Sequence, residues 1–323
     1  MSRVLVTGAT GFVGRALCAE LLLRGHPVCA ALRRVEDRSR LPLEGIETFV
    51  TGTVNAATDW RNTLAGCTTV VHLAARVHVM RDKVSDPLTA FRRVNVDGTL
   101  NLARQASAAG VRRFVFISSI KVNGETTRWG HPFIADDVPD PQDPYSISKH
   151  EAEMGLCQIA AETQMEMVII RPSLIYGPDV KANFQKMMQW LHRGIPLPLG
   201  AIHNKRSLIS LANLVDLIII CLDHQAAAHQ IFLAADGEDL STTELLRRMG
   251  MALGRPARLI PVPTFLLEFG AALLGRGNIA QRLCESLQVD ISKARTRLGW
   301  NPPISVDEGL RRTAQSFLYE KDF

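Results

Sequence analysis

The segment TGATGFVG, Thr7–Gly14, constrains the fold of this chain more than any other stretch of the sequence. It follows a short apolar run and precedes a segment of helical character. Gly8 suits a tight turn, Gly11 lets the backbone approach a ligand closely, and Gly14 lets a helix pack against a sheet. Because a helix N-terminus presents free N–H groups and partial positive charge, this order of strand, turn and helix predicts a turn that binds the pyrophosphate of a dinucleotide.

The first half of the chain alternates short apolar runs with longer helical segments. Strands are predicted at Arg3–Thr7, Pro27–Arg33, Thr48–Val50, Thr69–Ala74, Arg113–Ser118 and Met167–Pro172. Helices are predicted at Phe12–Arg24, Asp86–Ala109 and from Pro144 to about Thr163. Such alternation predicts an α/β fold with a doubly wound parallel sheet, and the continuous apolar strands indicate burial on both faces.

The pattern changes after Tyr176, where prolines punctuate shorter elements. The run Ile231–Ala234 is predicted to return a strand to the main sheet. Helices are predicted at Ser241–Leu253, Thr264–Leu274 and Asp307–Leu318. We therefore predict a dinucleotide-binding domain over residues 1–175, with a returning segment near 207–235, and a smaller C-terminal α/β region over residues 176–323.

Composition narrows the class of protein. Of 323 residues, 46% are hydrophobic and 21% are charged, as in ordinary globular enzymes. The formal net charge of +5 comes from dispersed basic pairs, which favours small anions over nucleic acid. The six cysteines are scattered without metal-ligand spacing, which indicates buried thiols in a reducing compartment and no metal site. The early first strand leaves no room for a signal peptide, and the apolar runs Leu214–Leu222 and Val262–Leu274 are too short to span a bilayer, so a cytoplasmic location is expected.

A candidate acid/base pair lies in DPYSISKHEAE, Asp143–Glu153. Asp143 is a good helix N-cap and Pro144 suits the first helical position. Tyr145 and Lys149, four residues apart, then share one face of the helix. A nearby ammonium and the helix N-terminus would both stabilise a tyrosinate, so the pair makes Tyr145 a usable proton donor or acceptor.

Seven motifs in order resemble the short-chain dehydrogenase/reductase superfamily, in its extended branch of nucleotide-sugar epimerases, dehydratases and reductases. The motifs are Thr7–Gly14, VVHLAA (Val70–Ala75), NVDGTLNL (Asn95–Leu102), SS-x-x-VNG (Ser118–Gly124), YSISK (Tyr145–Lys149), RPSLIYGP (Arg171–Pro178) and VDISKA with LGW (Val289–Ala294, Leu298–Trp300). The resemblance covers nearly the whole chain. It implies a Rossmann-type fold, an NAD(P) cofactor and a nucleotide-sugar substrate held mainly by residues 176–323.

The resemblance also assigns roles to single residues. It places Ser119 where a hydroxyl bonds the reacting oxygen, beside Tyr145 and Lys149 as the catalytic set, and Lys149 at the nicotinamide ribose; Ser118 is expected to be structural. The cofactor contacts that it implies are Gly8, Thr10, Gly11, Phe12, Val13, Gly14, Arg33, Arg34, Leu73, Ala74, Ala75, Tyr145, Lys149 and Pro172.

The two residues after Ser119 discriminate among reactions. Dehydratases of this branch resemble one another in carrying Asp-Glu there, whereas this chain has Ile120 and Lys121. Neither residue replaces a paired carboxylate, so dehydration is rejected. Lys121 either contacts a substrate or cofactor oxygen or is a solvated loop cation.

The end of the second predicted strand bears on the cofactor. An acid there normally binds the adenosine ribose of NAD, but this chain has Arg33 and Arg34. Since arginine binds phosphate oxygens with a planar pair of donors, we expect NADP(H), with NAD(H) as the alternative.

These features together predict an NADPH-dependent reductase. The pattern SSIKVNGE, with the two arginines, resembles reductases of UDP-linked 4-keto-6-deoxy-N-acetylhexosamines in bacterial polysaccharide synthesis. The alternative is an NAD-dependent nucleotide-sugar 4-epimerase, and a more remote one is a non-catalytic dinucleotide-sensing protein.

The substrate contacts are expected from the resemblance alone. Asn183 and Phe184 fit the position that contacts the sugar or phosphate, and Arg206 and Arg282 are candidates for the diphosphate. A homodimer is common in this branch, and the sequence itself leaves the oligomeric state open.

Overall fold

A seven-stranded parallel sheet forms the centre of the molecule. The computed structural model describes residues 2–41, 44–77, 86–273, 277 and 283–319. The strands of this sheet are β1 (Val4–Thr7), β2 (Val28–Leu32), β3 (Ile46–Val50), β4 (Thr69–His72), β5 (Arg113–Ile117), β6 (Glu166–Pro172) and, after two strands of another sheet, β9 (Gln230–Ala234). Their spatial order is β3-β2-β1-β4-β5-β6-β9, with every neighbouring pair parallel. The predicted doubly wound α/β fold is confirmed.

The order of the strands reverses between β1 and β4. In their register Thr7 lies opposite His72, so the carboxyl ends of the two strands meet at one edge of the sheet. Connections after the two strands diverge there, and this crevice is where ligands bind in open α/β sheets.

Helices cover both faces of the sheet. The helices are α1 (Phe12–Leu23), α2 (Arg61–Leu64), α3 (Pro87–Arg92), α4 (Thr99–Ala108), α5 (Pro144–Glu162), α6 (Ala182–His192), α7 (Leu211–Asp223), α8 (Thr242–Ala252), α9 (Thr264–Leu273), α10 (Ser292–Leu298) and α11 (Val306–Tyr319). Helices α1 and α7 contribute to a hydrophobic core on one face, and α4 and α5 to a second core on the other. Strands β1, β4 and β5 are buried throughout, which explains their unbroken apolar sequences. None of the helices in the described ranges is long and apolar enough to cross a membrane.

A smaller sheet lies in the second half of the chain. It consists of β7 (Leu174–Tyr176), β8 (Arg206–Ser210) and β10 (Asp239–Leu240), in the order β10-β8-β7. A third hydrophobic core joins it to α6, α8 and α11. The boundary between two domains near residue 175 stays a prediction.

The helix predicted over Asp86–Ala109 is interrupted. The chain forms α3, then a wider π-helical turn over Arg93–Gly98, and then α4. A Cβ on Gly98 would lie 2.7 Å from Cγ1 of Val54, so the helix approaches a neighbouring loop closely at this point. The wider turn also presents Asn95, whose amide donates to the carbonyl of Arg76 at 3.1 Å and to Oγ of Ser148 at 2.9 Å. These contacts are tertiary, so helical periodicity could not reveal the interruption.

Candidate functional site

The glycine turn joins β1 to α1 at the switch point of the sheet. Gly8 has φ +67°, and a Cβ there would lie 2.8 Å from the backbone N of Ala74. A Cβ on Gly14 would lie 2.1 Å from the carbonyl oxygen of Gly8 and 2.7 Å from Cα of Ala9. Gly14 therefore allows the first turn of the helix to lie directly against the glycine turn, while α1 packs on one face of the sheet.

The N-terminus of α1 is suited to an anion. Gly11 is the N-cap and is exposed, and the first turn contains no acidic residue. Phe12, Val13 and Thr10 are half-buried around it. Since the first N–H groups of a helix have no partner within the helix, this end offers donors and partial positive charge to a phosphate.

The chain leaving β4 borders the glycine turn. Leu73, Ala74 and Ala75 are half-buried, and the N–H of Ala74 donates to Oγ1 of Thr7 at 3.2 Å. This contact with a side chain replaces the next backbone bond of the ladder, so β4 ends at His72 and not at Ala74 as predicted. The three residues thus line the crevice beside the turn.

His72 is a site residue that the sequence reasoning missed. Its Nδ1 lies 2.7 Å from Oγ1 of Thr7 and its Nε2 lies 2.9 Å from Oγ1 of Thr99, so one ring connects β1, β4 and α4. Burial, with a smaller contribution from the charge of Lys149, lowers the pKa of His72 to about 3. The imidazole is therefore neutral at physiological pH. The motif VVHLAA contained the signal, but its partners are distant in sequence.

Helix α5 begins as predicted, with Asp143 as N-cap and Pro144 at the first position. Oδ1 of Asp143 accepts from the N–H of Ser146 at 2.7 Å. The ring of Tyr145 meets that of Phe91 edge-on, with centroids 6.1 Å apart. This packing fixes the orientation of Tyr145 at the start of the helix.

Lys149 is buried one turn further along α5. Its side chain is 2% exposed, and Nζ lies 3.9 Å from the centroid of the Phe116 ring on β5. Within the part of the chain that the structure describes, no side-chain hydrogen bond of Lys149 is found. The ammonium thus keeps its donors for a ligand.

Burial shifts the pKa values of both members of the pair. Burial, followed by the negative charge of Asp143, raises the pKa of Tyr145 to about 12. Burial lowers the pKa of Lys149 to about 7, against the opposing charge of Glu153. The pKa of Tyr145 is thus raised by burial and by the charge of Asp143, and a lowering of this pKa by Lys149 stays a prediction.

The two serines after β5 differ in environment. Ser118 is buried, its N–H donates to the carbonyl of Ile170 at 2.7 Å, and its hydroxyl has no partner among the described residues. Ser119 is half-buried, and its Oγ accepts from the N–H of Lys121 at 3.3 Å as the cap of a short 3-10 turn, Ile120–Val122. This turn contacts α5, which brings Ser119 to the same edge of the sheet as Tyr145.

Lys121 is neither a free loop cation nor aimed at an open space. Its Nζ donates to Oδ2 of Asp143 at 2.6 Å and to Oε1 of Glu125 at 2.7 Å. A contact from Lys121 to substrate stays a prediction, but the ammonium is occupied by two carboxylates of the protein.

A buried ion pair connects β6 to α5, the helix that carries Tyr145 and Lys149. Arg171 on β6 donates from Nε to Oε1 of Glu153 on α5 at 3.0 Å and from Nη1 to Oδ1 of Asn123 at 3.0 Å. Both charged side chains are less than 5% exposed. The pair joins β6, α5 and the loop after Ser119. Pro172, the last residue of β6, is also buried.

The two arginines after β2 are exposed on the surface of the protein. The N–H of Arg34 donates to Oδ2 of Asp37 at 3.2 Å as the chain enters a 3-10 turn, Val35–Arg40. Asp37 in turn pairs with Arg40 at 3.5 Å. The first acids after β2, Glu36 and Asp37, thus lie within this 3-10 turn. Arg33 and Arg34 precede it, at the carboxyl end of the strand.

The predicted substrate residues have varied environments. Asn183 is exposed at the start of α6, and Phe184 is buried and stacks on Tyr176 with centroids 5.7 Å apart. A contact of Phe184 with the sugar or phosphate stays a prediction. Arg206 at the start of β8 donates to the carbonyl of Glu285 at 3.1 Å. Arg282 lies outside the described residues. A role in binding stays a prediction for Asn183, Arg206 and Arg282.

The described residues contain no group of three or more His, Cys, Asp or Glu side chains placed to hold a metal ion. The candidate site consists of a glycine turn at a helix N-terminus, a buried lysine, a tyrosine at a helix start and a serine at a strand end. These features are typical of an oxidoreductase-type site on a doubly wound sheet.

Comparison with known proteins agrees with this class. Residues 4–235 match the NAD dependent epimerase/dehydratase family. The chain is 49% identical over 317 residues to a UDP-glucose 4-epimerase of Vibrio cholerae, with 98% of this chain and 95% of the relative covered. The chain belongs to the NAD dependent epimerase/dehydratase family.

Solved structures share the fold at lower identity. UDP-glucuronic acid 4-epimerase from Bacillus cereus in complex with NAD superimposes with a TM-score of 0.80 at 19% identity, covering 98% of this chain and 99% of that one. UDP-glucose 4-epimerase from Thermotoga maritima with UDP-glucose gives a TM-score of 0.77 at 21% identity, covering 99% of each chain. At these identities the likeness supports the fold.

Proposed function

We propose that this protein is an NAD-dependent 4-epimerase of UDP-linked hexoses. The observation that carries the proposal is the 49% identity, over 98% of the chain, to a UDP-glucose 4-epimerase. The geometry agrees, because Ser119 and the N-terminus of the Tyr145 helix lie at the carboxyl edge of the sheet, the edge at which the glycine turn leaves β1.

The residues of the crevice fit a dinucleotide. A Cβ at Gly8 or Gly14 would collide with backbone, so the turn keeps a bare surface next to the uncapped N-terminus of α1. The free donors of Lys149 suit the hydroxyls of a ribose. When bound, oxidised nicotinamide supplies a hydride acceptor and a positive charge.

Tyr145 acts in the proposed reaction as the base for the C4 hydroxyl of the sugar and then as the acid that returns the proton. Ser119 donates a hydrogen bond to the same oxygen and holds it as it becomes a carbonyl. Because the pKa of Tyr145 in the protein by itself is about 12, its deprotonation requires positive charge brought into the site on binding. Proton abstraction is thereby coupled to an occupied crevice.

The reductase predicted from the sequence is less well supported than this alternative. Its remaining support is the pair Arg33 and Arg34, exposed beside the end of β2 where an acid would favour NAD. A charge-assisted contact to a 2′-phosphate is worth about 1.5–3 kcal/mol, or about tenfold to hundredfold in affinity. NADP(H) use therefore remains a second candidate.

One experiment separates the two functions. Purified protein is incubated without added cofactor with UDP-glucose, and separately with UDP-N-acetylglucosamine, and the products are followed by NMR. We expect conversion to the C4 epimer by protein that carries NAD from purification. Oxidation of NADPH with a UDP-4-keto-6-deoxy-N-acetylhexosamine, without any epimer formed from either UDP-hexose, would reject the epimerase.

The role of the arginines is tested by titrating NAD and NADPH against the protein and its Arg33→Asp variant. For an NAD enzyme we expect NAD affinity to be retained or improved, since an acid accepts from the ribose hydroxyls. Arg40→Asp, at the end of the 3-10 turn that follows Arg33 and Arg34, is the control. A large loss of NADPH binding confined to Arg33→Asp would support the second candidate.

A further inference from the structure

The side chain of Lys121 connects the loop that carries Ser119 to the helix that carries Tyr145. Lys121 is the second residue after Ser119, and its backbone N–H donates to the Ser119 hydroxyl at 3.3 Å. Its Nζ donates at 2.6 Å to Asp143, the N-cap two residues before Tyr145. The same residue therefore contacts the proposed hydrogen-bond donor directly and the proposed acid/base through a helix cap.

Asp143 uses both of its oxygens in this arrangement. Oδ1 accepts from the N–H of Ser146 and closes the first turn of α5, while Oδ2 accepts from Lys121. A second backbone contact, from the N–H of Asp140 to the carbonyl of Val122 at 2.9 Å, holds the intervening loop to the Ser119 turn. The first turn of α5 is thus anchored to the end of β5.

We propose that Lys121 is a positioning residue of the reaction, whose ammonium clamps the N-cap of the Tyr145 helix to the Ser119 turn and balances the carboxylate charge nearest to Tyr145. The proposal rests on the proposed function for the roles of Ser119 and Tyr145.

The charges around Tyr145 make the clamp electrostatic as well as mechanical. Asp143 raises the pKa of Tyr145, second to burial. Burial pushes the pKa of Asp143 upward, but the hydrogen bonds from Lys121 and from the backbone of Ser146 hold it below its usual value. Asp143 is therefore ionised, and Lys121 is the cation that offsets it. The side chains of Lys121 and Asp143 are 28% and 26% exposed, so solvent screens the pair only in part.

The groups of α3 near Tyr145 do not offset the charge of Asp143. The ring of Phe91, on α3, is uncharged and lies under the guanidinium of Arg76 at 5.7 Å. Arg92, on the same helix, is paired with Glu151. The remaining acidic and basic residues on α5 are Lys149, His150, Glu153 and Glu162, and Glu125, three residues after the Ser119 turn, shares the ammonium of Lys121.

The test uses kcat and KM for a UDP-hexose across pH in three variants at the clamp. Lys121→Met removes the ammonium, and we expect kcat at neutral pH to fall by about tenfold to hundredfold with little change in KM, since misplacement of about 1 Å can cost that much. The rise of kcat with pH should also move to higher pH, because the charge of Asp143 is no longer offset. Lys121→Arg keeps the cation and should restore most of the activity.

Asp143→Asn should shift the pH dependence of kcat in the opposite direction. The amide oxygen still accepts from Ser146, but the negative charge is gone, so the rise of kcat should move to lower pH. Lys293→Met is the matched control, because Lys293 pairs with Asp136 at 2.7 Å, has a side chain 23% exposed, and is not among the groups that shift the pKa of Tyr145. We expect its pH profile to be that of the unchanged protein. Wild-type behaviour of Lys121→Met, or shifts of the same sign in Lys121→Met and Asp143→Asn, would overturn the proposal.

Hydrogen exchange tests the contact between Lys121 and Asp143 without substrate, and so independently of the proposed reaction. Hydrogen exchange should be faster in Lys121→Met over residues 118–125 and 143–149, and unchanged there in Lys293→Met and Lys121→Arg. If the wild-type protein converts no UDP-hexose, the proposed function fails while this comparison still decides the clamp. Unchanged exchange in Lys121→Met would reject it.

Discussion

The two halves of the chain build their polar sites in different ways. Around the large sheet, two of the features that shape the site are local: the turn from Gly8 to Gly14 and the cap of Asp143 on Ser146. In the C-terminal half, Arg206 finds the carbonyl of Glu285, 79 residues away. Positions read from a motif are therefore reliable where the contacts are local and weaker where they are long-range.

Each half also has a carboxylate that connects several elements, and it is buried in the first half and half-buried in the second. Glu153 is satisfied by Arg171, a full charge pair. Asp236 instead accepts from the hydroxyl of Tyr176 at 2.8 Å and the amide of Asn213 at 2.7 Å, and burial raises its pKa. An ion pair thus stabilises the carboxylate of Glu153 in the first half, and neutral donors stabilise that of Asp236 in the second.

The largest expected effect is on the catalytic side. Tyr145→Phe removes the proton donor and acceptor but keeps the ring against Phe91. We expect kcat to fall by about 10²–10⁴-fold, the usual contribution of general acid–base catalysis, with cofactor content and melting temperature unchanged. Epimerisation by the variant at the wild-type rate would remove Tyr145 from the reaction.

Breaking the buried pair comes next. Glu153→Gln leaves Arg171 charged and buried, and we expect a loss of about 3–5 kcal/mol in the free energy of unfolding, measured by urea denaturation. Glu151→Gln, two residues earlier on the exposed face of α5, breaks the pair with Arg92 and should cost about 1 kcal/mol or less. Equal losses in the two variants would contradict the distinction drawn between buried and exposed pairs.

The buried imidazole predicts a dependence of stability on pH. The folded pKa of His72, about 3, lies below its usual value of 6.5, so between these values the unfolded chain binds a proton that the folded protein does not. Stability from this group is therefore present above pH 6.5 and is lost as pH falls toward 3. Between pH 7.5 and 5 the loss is roughly 2 kcal/mol, and His72→Gln should be less sensitive over that interval in urea denaturation. The same acid sensitivity in both proteins would exclude His72 as its source.

The smallest effect is expected on the substrate side. Arg206→Ala should raise KM for the UDP-hexose by about tenfold or more, as for the loss of a charge-assisted contact to phosphate, and should lower kcat less. Arg258→Ala, exposed in the same half of the chain, serves as the control. A fall in kcat with unchanged KM would remove Arg206 from the binding role and weaken the comparison between the halves.

Much of the fold and the catalytic helix could be predicted from local chemistry. The six strands of the first half lie within a few residues of their expected positions, and α5 has the predicted cap. Two features that the sequence did not reveal depend on tertiary contacts. Phe184 is buried by stacking on Tyr176, and the π-helical turn presents Asn95 to Ser148, 53 residues away. Neither contact leaves a periodic signal in the sequence.

The sequence by itself determined the strand, turn and helix around Gly8 and the start of α5 at Asp143, because a positive φ and a helix cap depend on residues a few positions apart. Only the tertiary structure decided that His72 is a neutral link, that Lys121 pairs with Asp143, and that burial sets the pKa values of Tyr145 and Lys149. Desolvation and ion pairing depend on which distant segments pack together, and that is a property of the folded chain.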